Sequence, residues 1–166
     1  TGTIGAGNLV TLSGTALATG AITAPNITLT AQTFGTGNLT ATGTLTINAL
    51  ADYTPSGIAL SANTVSITAA GGITVGSSSN SSLTAPNVSL TTGTGNLSAE
   101  LTGTSRLTVD AGFGFDVQSN TWLTDTTITA AWDRATDGQG GSVGARVASS
   151  TGSGTQTFSY GFDGPL

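Results

Sequence analysis

Cysteine, methionine, histidine and lysine are all missing from this 166-residue chain. Without cysteine or histidine there can be no Cys/His zinc site, no Ser-His-Asp triad and no Cys-His pair. Without lysine there is no Ser-Lys dyad and no phosphate-binding GxxxxGK[ST] loop, so Gly71-Gly72 and the glycines of 138–141 read as turn residues. The missing cysteine fits export without disulfides. Charge is nearly as scarce. Three arginines stand against eight acidic residues, for a net charge of −5, and charged residues make up 7% of the chain against roughly 25% in ordinary soluble domains. A lysine-free acidic chain cannot neutralise a phosphate backbone, which argues against a nucleic-acid partner. It also has no basic amphipathic stretch for a membrane surface. No apolar run approaches the length of a bilayer-spanning helix. The opening residues have no charged region followed by an apolar one, so no signal peptide is expected there, and the repetitive texture already present at Thr1 reads as a piece cut from something longer.

Gly, Thr, Ser, Asn and small aliphatics take the place of charge, and they recur in phrases. Residues 22–49 read ITAPNITLTAQTFGTGNLTATGTLTINA, and residues 83–111 read LTAPNVSLTTGTGNLSAELTGTSRLTVDA. Ala24-Pro25-Asn26 returns as Ala85-Pro86-Asn87, and Gly37-Asn38-Leu39-Thr40 returns as Gly95-Asn96-Leu97-Ser98. Within each phrase an apolar residue alternates with a small hydroxylated one, as in a strand with one buried face. Between the runs Gly93, Gly95 and Gly103 are expected to turn the chain through positive φ. An internal repeat of this length signals stacked units.

Aligned by their first apolar residue, the main strands begin at Ile27, Leu45, Val65, Val88, Leu107 and Ile128. The steps between them are uneven, scattered around roughly 20 residues, the short end of the range for stacked repeats. Shorter apolar pairs lie between the main strands, so each unit holds two or three strands of about 3–5 residues, at the lower limit of strand length. Strands this short cannot bury a face alone, but stacked coils with parallel ladders can. The expected fold is therefore an all-β parallel β-helix, a β-solenoid of about six rungs of roughly 20 residues. Residues 1–23 read as incomplete or edge rungs, and Ala49, Ala62, Ala69 and Ala99 fit a narrow interior. An antiparallel sandwich would need longer strands and Asn-Gly or Asp-Gly hairpins. Composition changes near residue 110, where most aromatics and five of the eight acidic residues follow. That divides the chain into a repeat array over 1–130 and an aromatic-containing cap or junction over 131–166, with 142–147 and 155–162 as candidate strands.

The remaining chemistry is thin, and no catalytic residue, metal site or cofactor is assigned. Asp110 with Asp116, or Asp133 with Asp137, are the carboxylate pairs open to glycosidic chemistry, which needs two carboxyls about 5 to 9.5 Å apart. Asp133 and Asp137 in a Gly-rich loop are also the hard oxygen ligands that calcium would use, although the EF-hand spacing is absent. Asn26, Asn38, Asn80, Asn87 and Asn96 each open an Asn-x-Ser/Thr triplet, a glycosylation acceptor in an exported chain. The structural alternative places asparagine at coil corners, in αL or bonded to its own backbone, or stacked as an amide ladder. Trp122, Trp132 and Tyr160 are candidate ligand contacts, since an exposed ring can stack on a sugar or anchor a protein; core or cap packing is the plainer role.

The run GNLTATGTLTI at 37–47, and GNLSA at 95–99 leading to Leu107-Thr108-Val109, resemble the repetitive shaft of filamentous-haemagglutinin-like exoproteins of bacterial two-partner secretion. Many autotransporter passengers share this texture. The resemblance spans about residues 7–130 and ends after 133. It implies a right-handed coil, export through an outer-membrane barrel partner, a place outside the cell or on its surface, and adhesion to host or matrix glycan or protein. It supplies no catalytic residues. The expected function is a structural and adhesive module. The alternatives are a polysaccharide-acting enzyme, with Asp110 near Arg106 on one rung face; a filament subunit joined end to end through 155–162; and a flat-faced binding solenoid of the ice-binding kind. For the last of these, the steps between main strands are too irregular for a lattice match.

Overall fold

Alternation of aliphatic and hydroxylated residues becomes a coil in which every second side chain points inward. The computed structural model describes residues 2–112, 115–121, 123–132, 146–148 and 155–162, with side chains as far as Thr127. Two parallel sheets run its length. The long-strand sheet stacks β2 (Leu9–Ser13), β5 (Asn26–Ala31), β8 (Thr44–Ala49), β10 (Thr64–Ala69), β13 (Asn87–Thr92), β15 (Arg106–Ala111), β17 (Asp125–Trp132) and β19 (Thr155–Phe162). The short-strand sheet stacks β1 (Ile4–Gly5), β4 (Ile22–Ala24), β7 (Leu39–Ala41), β9 (Ala59–Ser61), β12 (Ser82–Thr84), β14 (Leu97–Thr102), β16 (Phe115–Ser119) and β18 (Arg146–Ala148). A third side begins with β3 (Ala16–Ala18) and β6 (Thr33–Gly35), continues through a bridge between Tyr53 and Ile73, and reaches β11 (Ile73–Val75). The chain is a right-handed parallel β-solenoid. Val10, Ile27, Leu45, Val65, Val88, Leu107 and Thr126 follow one another in register, one per turn. At the usual ladder spacing these turns make a rod about 30 Å long.

The expected register therefore holds from Ile27 to Leu107, and Val10 adds a turn before it. It slips at the end. Leu107 faces Thr126, and Ile128 faces Val109. Apolar alignment missed this because the core position is filled by a threonine. The long strands also run to six residues where three to five were expected, because their polar outward residues and terminal alanines join the ladder.

Inside, Ile27, Leu45, Val65 and Leu107 form one apolar column, and Leu29, Ile47, Ile67 and Leu90 form a second; all are buried. A third column, Ala31, Ala49, Ala69 and Ala111, stays small because the coil closes beside it. In that column Thr92 is buried too, but its hydroxyl accepts a hydrogen bond from the Gly112 N–H at 3.1 Å. Thr126 differs. It is 1% exposed, and its Oγ1 has no hydrogen-bond partner. Since an unpaired buried hydroxyl costs free energy that an isosteric methyl does not, Thr126→Val is expected to stabilise the chain by about 1 kcal/mol. Urea unfolding measures this, and a lower midpoint would show that the hydroxyl is satisfied in solution.

Many turns are stapled to neighbouring coils, although the 76–81 turn also closes on itself. The Asn26 carboxamide oxygen accepts from the Thr44 N–H at 3.1 Å, and that of Asn38 from the Ala59 N–H at 2.9 Å. Asn87 donates to the Asn63 carbonyl at 3.1 Å. The expected own-backbone bonds and amide ladder give way to this arrangement because stacking places an orphan backbone group one coil away, within side-chain reach. Asn80 alone among the described non-glycine residues has positive φ, at 52°. Glycine is also used differently from expectation. Of Gly93, Gly95 and Gly103, only Gly103 has positive φ (68°), whereas at Gly95 a Cβ would run into the backbone of Gly72.

The irregular steps have a local origin. The longest, from Val65 to Val88, contains an excursion over residues 76–81 with a 3-10 turn at Ser77–Ser79. One turn later the first half of β14 pairs with β11 and its second half with β12, so the third side and the short-strand sheet merge into one strand. Added residues thus leave through turns and the third side. The long-strand sheet keeps its one-to-one register throughout, and the lattice objection raised by uneven steps does not apply to it.

Candidate binding face

Outward positions of the long-strand sheet form straight files. One file holds Thr11, Thr28, Thr46, Ser66, Ser89 and Thr108, and beside it run Ser13, Thr30, Asn48, Thr68, Thr91 and Asp110. Successive hydroxyl-bearing residues lie roughly 4.8 Å apart along a file, and neighbouring files on one strand are roughly 6.6 Å apart. Most of these side chains in β5 to β13 are half-buried between their neighbours. Asn48 donates across the rungs to the Thr30 hydroxyl at 3.3 Å. Charge enters only at the far part of this face, where Asn87, Arg106 and Asp125 succeed one another in register. They border a shallow groove of about 300 Å³ that also meets Ser89, Thr108 and Thr127.

A smaller cleft of about 230 Å³ opens on the third side, between Gln32, Phe34, Asp52, Tyr53 and Pro55. The Phe34 and Tyr53 rings meet edge to face, with centroids 5.3 Å apart and planes at 88°. Burial pushes the Tyr53 phenol above its ordinary pKa, so it stays a neutral ring edge. The Asp52 carboxylate accepts from the Gly72 N–H at 2.7 Å. These aromatics were not singled out from the sequence; the signal was the lapse of the repeat phrase in LADYTPSGI at 50–58.

Asp110 and Asp116 are not brought together. Asp110 points outward from the long-strand sheet and Asp116 from the short-strand sheet. Arg106 and Asp110 share a strand face but stand at opposite parts of it, roughly 13 Å apart along the strand. Asp133, Asp137 and Trp122 lie outside the described residues, and Trp132 and Tyr160 are placed only as backbone in β17 and β19. Among the described residues no three His, Cys, Asp or Glu side chains gather as for a metal. Of the Asn-x-Ser/Thr asparagines, Asn26, Asn38 and Asn87 hold the ladder bonds already named, while Asn80 and Asn96 are exposed, Asn80 as the C-cap of the Ser77–Ser79 turn.

That turn rests on Glu100, whose carboxylate accepts from the Ser77 hydroxyl and, at 2.9 Å, from the Ser77 N–H. The hydroxyl bond, then the backbone bond, hold the carboxyl below its usual range. Since the folded pKa is the lower one, the stabilisation is present above the unfolded value of about 4.3 and is lost as pH falls through the folded value. Glu100 is only half-buried, so solvent screening keeps the effect local. As pH falls through the lowered folded value the Ser77 amide is expected to lose protection, relative to its intrinsic exchange rate, while those of β10 stay protected; Glu100→Gln removes that pH dependence. Amide exchange by NMR checks both.

Compared with known proteins, the chain matches no family model, no curated protein and no solved structure.

Proposed function

We propose that the chain is a length of shaft from a secreted or surface-displayed bacterial exoprotein, with a structural and adhesive role and no catalysis. The observation that carries this reading is the continuous, mostly apolar interior over six turns, jacketed by side chains that are polar but nearly uncharged. Such a rod holds its shape without ligand, and its polar flank stays soluble beside a charged cell surface. The repeat phrases resemble two-partner secretion shafts, so an outer-membrane barrel would be the export partner, and a host or matrix glycan or protein the adhesive one. β2 and β19 are the outermost described strands of the long-strand sheet, and a further coil, of this chain or of another joined end to end, would pair there.

The test applies the purified chain to glycan arrays, matrix proteins and host cells, beside a polysaccharide-degradation assay. Saturable binding without release of sugar ends is expected. Release of soluble fragments would replace this reading with the enzymatic one, and binding to none of the surfaces would remove the adhesive part. Surface proteolysis of cells making the full gene product tests its location. Protection of the protein until the cells are lysed would overturn it.

A further inference from the structure

We propose that the outward face of the long-strand sheet, from β2 to β13, binds ice. This goes beyond the shaft reading and does not depend on it. Two parallel hydroxyl-rich files run across five strands whose residues pair one to one, although the lengths of chain between those strands differ. The result is a regular grid, roughly 4.8 Å by 6.6 Å from strand geometry, on the scale at which hydrogen-bonded oxygens repeat in ice. Threonine supplies a methyl and a hydroxyl on one stiff χ1. From β5 to β13 most of these groups are half-buried between neighbours, which restricts them before any partner arrives and leaves less side-chain entropy to be lost on binding.

The occupant follows from what the grid contains. Its outward positions from β2 to β13 carry no charge and no aromatic ring. Protein partners are usually anchored by Trp, Tyr or Arg, and sugar faces stack on aromatic rings. Ions would hold their own hydration shells against a water lattice. A regular field of hydroxyls, six of the ten positions adding a threonine methyl, can by contrast order water in its own period. The grid ends where Arg106, Asp110 and Asp125 enter. The short-strand sheet makes a useful contrast: Thr23, Thr40, Ser61, Thr84 and Thr102 also fall in register there, but as a single file on strands that are mostly three residues long. One file matches a line rather than a plane.

The experiment measures inhibition of ice recrystallisation and the shaping of single ice crystals by the purified chain. Crystalline cellulose, crystalline chitin and sedimentation of the protein alone serve as parallel arms. The wild type is expected to inhibit recrystallisation and facet the crystals. Ser66→Tyr, inside the grid and compatible with a strand, is expected to require at least about tenfold more protein for the same inhibition. Ser66→Thr is expected to keep or improve the activity, and Thr40→Tyr on the opposite sheet to leave it unchanged; circular dichroism confirms that each variant folds. No ice activity in the wild type overturns the proposal, whether or not the chain binds a polysaccharide or pairs through this face. Equal loss in Ser66→Tyr and Thr40→Tyr also overturns it.

Discussion

Ile47→Asp is expected to abolish the single cooperative unfolding of the rod at neutral pH, while Thr46→Asp, at the adjacent position, leaves it nearly intact. Ile47 is fully buried between Leu29 and Ile67 of the adjoining turns. A carboxylate there would be desolvated with no cation facing it, at a cost of several kcal/mol, against a total stability of about 5–15 kcal/mol for a domain. Thr46 points outward and is half-exposed, and a surface change of this kind usually stays within about 0.5 kcal/mol. Because the interior pKa of the new acid would be raised, stability lost at pH 7 should partly return as pH falls below that raised value. Ile47→Val, by comparison, is expected to cost about 1 kcal/mol. Far-UV circular dichroism with urea melts of the three variants decides the matter. Similar damage from the neighbouring aspartates would mean that the register of β8 is wrong, since a slip of one residue exchanges the two faces.

The second large effect lies in a turn. A Cβ on Gly37 would sit 2.7 Å from the Ala21 nitrogen and 2.8 Å from the Gly20 carbonyl carbon, both backbone atoms of the previous coil. The Gly37 N–H also donates to the Gly20 carbonyl at 3.1 Å, so the turns cannot separate without losing that bond. Gly37→Ala is therefore expected to destabilise by about 2–3 kcal/mol, at the upper part of the overpacking range. Gly7, which has open space around it, is the matched control, and Gly7→Ala should be neutral or slightly stabilising. Equal midpoints for the two variants in chemical unfolding would show that the coils are not stacked as tightly as described.

The columns were legible in the sequence because they are made of a repeated contrast. Ile27, Leu45, Val65, Val88 and Leu107 each open an alternating run, and that alternation alone placed them in one file. Thr126 escaped because its site belongs to the column while its side chain does not. The third side was not legible. Leu17, Phe34 and Tyr53 share no phrase, and nothing local announces that β14 will continue two strands of the preceding turn. Glycine and asparagine were recognised as turn residues, but their reasons lie in the adjacent coil, a whole repeat away, where a single-sequence reading has no view. The binding face was half legible. Its threonines were visible, but its regularity was hidden by insertions that the fold sends elsewhere. Phe34 and Tyr53 were visible only as isolated aromatics, since the cleft between them exists only once two coils are stacked.

The merging of the third side into β14 has a mechanical consequence. Before that point the cross-section is three-sided, and a triangular tube resists flexure about equally in every direction. At β14 and β16 one strand takes the place of two sides, and a two-walled coil yields most readily across its thin dimension. A sideways load is thus expected to be taken up first around β14 and β16, a more compliant length beside a stiffer one.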